Sequence, residues 1–202
     1  KPMIIGIIVS IICVIVSFIL EMIFYKDGDK NSSKKEVKNN SDSNLKTEAA
    51  KKTKVSIAAP IKGNVVALAD VKDEAFSSES MGKGIAIEPE EGKVYAPADG
   101  VISTFFPTGH AIGITTDLGA EILIHVGMDT VEMNGDGFEP QKSQGDKVKK
   151  GDLLLKFNID KIKAAGHPVT TPVIITNSDD YADVIPTNAP KVDSGDELIQ
   201  II

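Results

Sequence analysis

From Val55 onward, Gly, Pro and Asp cut the chain into short apolar runs, and few folds accept that pattern. Examples are Gly84-Ile85-Ala86-Ile87, Gly100-Val101-Ile102-Ser103 and Asp152-Leu153-Leu154-Leu155-Lys156-Phe157. Such runs are too short to build an amphipathic helix, and their β-branched residues with turn formers between them favour strands. The texture predicts an all-β, antiparallel sandwich or barrel over residues 55–202. Only Asp160–Ala165 and Asp179–Ile185 have the look of short helical turns.

An internal echo points to duplication. Ala59-Pro60-Ile61-Lys62-Gly63-Asn64-Val65 and Ala96-Pro97-Ala98-Asp99-Gly100-Val101-Ile102 both spell Ala-Pro-x-x-Gly-x-(Val/Ile), 37 residues apart. Pro sets a turn and Gly permits a positive φ, so each copy is expected to be a tight corner feeding a strand. Two such corners predict a duplicated β motif.

The first 54 residues differ in kind. Met3 to Leu20 carries no charge and is dominated by Ile and Val. A run of about 18 or more apolar residues suffices to cross a bilayer, so residues 1–25 are predicted to be a transmembrane helix. A cleaved signal peptide is the rival, but no Ala-x-Ala-like site follows. Lys26, Lys30, Lys34, Lys35 and Lys38 flank the run and predict that residues 26–202 lie on the cytoplasmic side of the cell membrane. Residues 26–54 are rich in Lys, Asn and Ser and predict a disordered tether. That segment holds nine Lys against five acidic residues, whereas residues 55–202 hold 12 Lys against 23. The β part is therefore acidic, which argues against nucleic acid and towards a basic protein partner. The lone Cys13 excludes an intrachain disulfide, and there is no Arg anywhere.

Two of the three histidines, His110 and His125, lie on neighbouring strand-like runs joined by a polar turn. A hairpin of residues 110–116 and 119–126 with a two-residue loop would place the imidazoles opposite each other, Cβ atoms about 5 Å apart. A three-residue loop with Gly119 in a bulge would shift the register by one and send one ring to the other face, unless a second bulge compensates. Gly127 lets backbone approach the His125 ring closely. A backbone carbonyl accepting from Nδ1–H would leave Nε2 with a free lone pair, able to attack phosphorus or bind a metal. Thr108 can place a hydroxyl beside His110, and Asp73 and Asp129 are candidate rim acids.

Around these histidines the chain resembles the glucose-type (type 1) enzyme IIA domain of the bacterial phosphoenolpyruvate-dependent sugar phosphotransferase system. The segments that carry the likeness are Gly82–Pro89, Ala96–Gly100, Thr108-Gly109-His110-Ala111 and Gly119 through Phe138, with Ile124-His125-Val126-Gly127-Met128-Asp129-Thr130-Val131-Glu132 at its centre. The resemblance implies that His125 takes a phosphoryl group on Nε2 from the phosphocarrier protein HPr and passes it to a cysteine of an enzyme IIB domain. It implies that His110 donates a hydrogen bond to the phosphoryl oxygens with Thr108 beside it. Asp73 and Asp129 would face the carrier's basic side chain, and Phe76, Met81, Phe106 and Val131 would form an apolar docking ring. In many permeases of this system a IIA domain follows the last IIC membrane helix through a polar linker, and residues 1–54 resemble that junction. No cofactor is implied. Without Arg the chain has no bidentate phosphate clamp of its own, so a cation entering with the partner is expected to complete the site.

Other functions compete. A lysostaphin-like zinc metallopeptidase has a related duplicated β architecture, but it needs a His-x-His pair, and position 127 is Gly. An adventitious zinc ion between His110 and His125 stays open. A biotinyl or lipoyl carrier would suit the turn Gly145–Leu154, yet the chain has no Met-Lys-Met or Asp-Lys-Ala tip. A non-catalytic regulatory binding module is the remaining alternative. His167, in Gly166-His167-Pro168, belongs to no motif and is expected in a surface loop.

Overall fold

The computed structural model describes residues 54–202. Strands come in chain order as β1 Val55–Ala58, β2 Gly63–Val66, β3 Lys83–Pro89, β4 Lys93–Tyr95, β5 Gly100–Phe105, β6 Ala111–Thr116, β7 Glu121–His125, β8 Phe138–Pro140, β9 Lys147–Val148, β10 Leu153–Phe157, β11 Thr171–Ile175, β12 Val184–Pro186, β13 Lys191–Val192 and β14 Glu197–Ile201. Every pairing between them is antiparallel. One sheet of eight strands runs β13-β2-β3-β11-β7-β6-β5-β9, and two sheets of three run β1-β14-β12 and β4-β10-β8. The all-β expectation holds.

Alternation along the strands decides the two faces of the large sheet. Ile85 and Ile87, Val173 and Ile175, Ile122 and Ile124, and Ile112 and Ile114 turn inward, where Leu154, Leu155, Leu198 and Ile199 of the small sheets complete the core. Burying each such side chain stabilises the fold by roughly 1.5–3 kcal/mol. On the opposite face Ala86, Ile174 and Leu123 meet Leu68, Val71, Phe76 and Met81 in a second, smaller apolar cluster. These last four come from the segment between β2 and β3, which holds a 3-10 turn, Leu68–Asp70, and a one-turn helix, α1, Glu74–Ser77. The segment lies over the outer face and builds one wall of the site.

The two Ala-Pro-x-x-Gly corners do lead into β2 and β5. Their glycines serve a different purpose from the one expected. Neither Gly63 nor Gly100 has a positive φ. A Cβ would instead meet backbone, at 2.0 Å from the Glu88 carbonyl oxygen for Gly63 and 2.4 Å from that of Thr115 for Gly100. Each corner is gripped by a later short strand and the turn after it: Val192 pairs with Gly63 and Val148 with Gly100. The N–H of Ala59 bonds the Asp196 carbonyl, and that of Ala96 the Asp152 carbonyl. The gripping segments share a pattern of their own, Val148-x-x-Gly151-Asp152-x-Leu154 and Val192-x-x-Gly195-Asp196-x-Leu198. The duplicated motif is therefore a corner plus a distant strand and turn.

Of the two expected helical turns, Asp160–Ala165 forms as α2, Ile159–Ala164, where the Asn158 side chain accepts from the Lys161 N–H at 2.9 Å. Asp179–Ile185 does not. Only Ser178–Asp180 makes a 3-10 turn, and Val184 then pairs with Ile201 as the edge strand β12. Pairing along β14 outweighs local helical preference there, and Pro186 has no N–H to continue a helix. Among the described residues no helix is long and apolar enough to cross a membrane. The expected membrane helix at 1–25 and the tether at 26–54, Lys54 apart, lie outside them.

Candidate functional site

β6 and β7 pair without interruption from Thr115 opposite Glu121 to Ala111 opposite His125. The Thr116 N–H bonds the Ala120 carbonyl, and Gly119, at φ +91°, closes a three-residue loop. The two-residue alternative is thus excluded, and His125 faces Ala111 rather than His110. No second bulge restores the match. Instead His110 lies outside the strand, in the turn after β5, where Gly109 takes φ +75° and the chain leaves the extended path. Alternation no longer applies to it. The two rings meet with centroids 5.0 Å apart and planes at 72°.

His125 ends β7 on the outer face. Its Nδ1 lies 2.8 Å from the Gly127 carbonyl, which can only accept, so Nδ1 carries the proton. Gly127 makes this contact through a left-handed turn at φ +74°. Burial pushes the His125 pKa down, against the opposing pull of the Gly127 carbonyl, Asp73 and Asp129. A neutral ring with its proton on Nδ1 has its lone pair on Nε2.

His110 is 5% exposed. Burial, helped by the neighbouring His125, lowers its pKa from 6.5 to about 4, so it is neutral near pH 7. Its Nδ1 lies 2.5 Å from the Thr108 hydroxyl. Phe106 flanks it with ring centroids 5.3 Å apart, and Phe76 flanks His125 at 5.4 Å. The four rings form a continuous series across the site.

The candidate rim residues occupy distinct places. Asp73 caps α1, its Oδ1 accepting from the Ala75 N–H at 2.8 Å. Asp129 is exposed and left-handed at φ +57°, a conformation that strains a non-glycine residue. Phe76 is almost fully buried against His125, and Met81 packs into the outer apolar cluster beside it. Val131, half-buried, lies in the 3-10 turn Thr130–Met133. Among the described residues no three His, Cys, Asp or Glu side chains are grouped to hold a metal ion. That leaves the peptidase alternative without a ligand set among the described residues, and the carrier-like turn Gly145–Leu154 is one of the gripping segments.

Two contributors escape sequence reasoning. The buried Thr130 hydroxyl donates to the Val126 carbonyl at 2.6 Å, and the Pro168 carbonyl accepts from the Met128 N–H at 3.0 Å. Thr130 carries a weak local signal as a polar residue beside a Gly-containing turn. Pro168 reaches the site from 40 residues away and carries none. It also brings the half-buried His167 loop against the turn after His125.

A duplicated antiparallel sandwich in which two imidazoles of lowered pKa meet, the buried His110 and the half-buried His125, defines a class of protein with a paired-histidine site. The family model described as "phosphoenolpyruvate-dependent sugar phosphotransferase system, EIIA 1" matches residues 55–181, and the chain belongs to that family. A "PTS system beta-glucoside-specific EIIBCA component" of Halalkalibacterium halodurans is 48% identical over 81% of this chain and 26% of its own length. A "PTS system glucose-specific EIIA component" of the same organism is 45% identical over 70% of this chain and 82% of its own length. Among solved structures, the glucose permease IIA from Mycoplasma capricolum superposes with a TM-score of 0.66 at 33% identity, covering 73% of this chain and 95% of that one. The chain spans about a quarter of the multidomain relatives' length.

Proposed function

We propose that this chain relays phosphoryl groups during sugar uptake, accepting them from phospho-HPr on His125 Nε2 and passing them to a cysteine of a IIB domain. The observation that carries the reading is the bond from His125 Nδ1 to the Gly127 carbonyl, with the second imidazole alongside. Phosphoryl transfer asks for in-line positioning and charge stabilisation more than for covalent help. His125 is the nucleophile. The Thr108 hydroxyl donates to His110 Nδ1, which leaves His110 Nε2–H to donate to the phosphoryl oxygens. Two neutral rings accept a dianion without an opposing charge, and a partner cation completes the clamp. Tight binding of free phosphate by the isolated chain would contradict that last point.

Asp73 and Asp129 face the carrier's basic side chain. Met81, Phe106 and Val131 offer apolar surface to it, while Phe76 supports the His125 ring from behind. Residues 55–202 act as the IIA domain, 26–54 as its tether and 1–25 as the last membrane helix of a IIC domain. This places the site on the cytoplasmic face of the membrane. The relatives' designation EIIBCA, with A last, agrees with that order.

Transfer of labelled phosphate from phosphoenolpyruvate through the general phosphotransferase proteins tests the proposal. His125→Ala is expected to abolish labelling. His110→Gln is expected to be labelled but to fail in passing the group on. Labelling that survives His125→Ala refutes the mechanism.

A further inference from the structure

Thr130 is fully buried, and a buried hydroxyl is costly unless it is bonded. Its Oγ1 donates to the Val126 carbonyl, bridging the turn that follows His125. That turn contains two left-handed residues in three, Gly127 and Asp129. A strained turn of this kind persists only where its surroundings hold it. The Thr130 methyl lies 2.6 Å from the place a Cβ on Gly127 would take, so the same side chain grips the turn at a second point. From the other side the Pro168 carbonyl takes the Met128 N–H. Between these two holds, the Gly127 carbonyl is aimed back at His125 Nδ1.

We propose that Thr130 is a positioning residue for phosphoryl transfer: it fixes the Gly127 carbonyl beneath His125 and thereby keeps the proton on Nδ1 and the lone pair on Nε2. The inference rests on the phosphoryl-relay reading above. During acceptance the Nε2 lone pair forms the new N–P bond. The N–P bond to the carrier's histidine breaks, and its electron pair returns to that ring nitrogen. During donation a cysteine thiolate forms the S–P bond and the pair of the broken Nε2–P bond returns to Nε2. The Nδ1 proton stays in place through both steps. Held there, it makes the ring a better leaving group. Released in the unphosphorylated state, it can move to Nε2 and block attack.

The test uses the detergent-solubilised full chain with ¹⁵N-labelled histidine. Long-range proton–nitrogen correlations report which nitrogen of His125 is protonated. The wild type and Thr130→Ser, which keeps the hydroxyl, are expected to show Nδ1–H alone. Thr130→Val, which keeps the shape, is expected to show both tautomers and to accept phosphoryl roughly 10-fold more slowly, the loss of about one hydrogen bond. A merely structural role would lower thermal stability and leave the tautomer untouched. If Thr130→Val retains Nδ1–H alone, or if Thr130→Ser behaves as Thr130→Val does, the inference is overturned. A wild-type chain that takes no phosphoryl group, while its tautomer still responds to Thr130→Val, refutes the relay and leaves only the hold of Thr130 on the His125 tautomer standing.

Discussion

Replacing Gly127 by Ala attacks the turn that holds His125 in its working tautomer. Two costs add. At φ +74° an L-residue pays roughly 1–2 kcal/mol for the left-handed conformation. The new Cβ would also sit 2.6 Å from the Thr130 methyl and 2.9 Å from the Pro168 carbonyl oxygen. Neither neighbour is free to retreat. Thr130 is fully buried and bonded to Val126, and the Pro168 carbonyl is engaged by the Met128 N–H. Overpacking of this kind costs about 1–3 kcal/mol. Gly127→Ala is therefore expected to lose about 2–5 kcal/mol, a large part of the stability of an ordinary domain. At about 2–4 °C per kcal/mol for a domain of this size, the melting temperature falls by roughly 5–20 °C. Gly119→Ala provides the control, because Gly119 has φ +91° but nothing within 4 Å of its would-be Cβ. It bears the conformational cost alone, and the difference between the two variants isolates the packing term. Urea titration of both measures that difference, with unchanged m-values as the check on two-state unfolding. Equal losses for the two variants would refute the claim that Thr130 and Pro168 clamp this turn.

The low pKa of His110 predicts an acid-sensitive fold. The unfolded chain protonates this ring near pH 6.5 and the folded chain only near pH 4, so between those values the unfolded state holds more protons. Its contribution is complete above about pH 6.5 and is lost as pH falls towards 4. It amounts to about 3 kcal/mol at about 1.4 kcal/mol per pH unit. His125, shifted in the same direction, steepens the loss. Urea midpoints between pH 4 and 7 are expected to show this slope, and His110→Gln is expected to flatten it. Gly63→Ala tests the corrected account of the repeated corner. Its Cβ would strike the Glu88 carbonyl oxygen at 2.0 Å, so a loss of at least about 2 kcal/mol in thermal unfolding is expected although no positive φ is involved.

Much of the strand pattern was legible because it is local. Runs such as Leu153–Phe157 carry their turn residues beside them. The α2 turn was legible as the short segment Asp160–Ala165, and the structure adds its Asn158 cap. The α1 turn was missed, although Asp73 followed by Glu74 carried a capping signal. The Asp179–Ile185 turn failed because its decisive partner, β14, lies elsewhere in the chain. Half of each duplicated motif could be seen in the Ala-Pro-x-x-Gly corners. The gripping segments could not, since their pattern becomes meaningful only when Val148 and Val192 are seen against Gly100 and Gly63.

The site divides in the same way. By itself the sequence determined the all-β class, the acidic character of residues 55–202 and the two histidines whose flanking residues mark the family. It also determined the glycine that lets backbone reach His125. These are properties of composition and of neighbours within a few residues. The tertiary structure decided that the rings meet, by taking His110 out of the strand at a left-handed Gly109 and so removing it from the alternation that would have separated them. It decided the tautomer, since Thr130 and Pro168 hold the Gly127 carbonyl in place from two sides. It decided that both imidazole pKa values are lowered, because packing beside Phe76 and Phe106 takes away water that a charged ring needs. Each of these outcomes depends on where distant segments pack, and local sequence does not encode that.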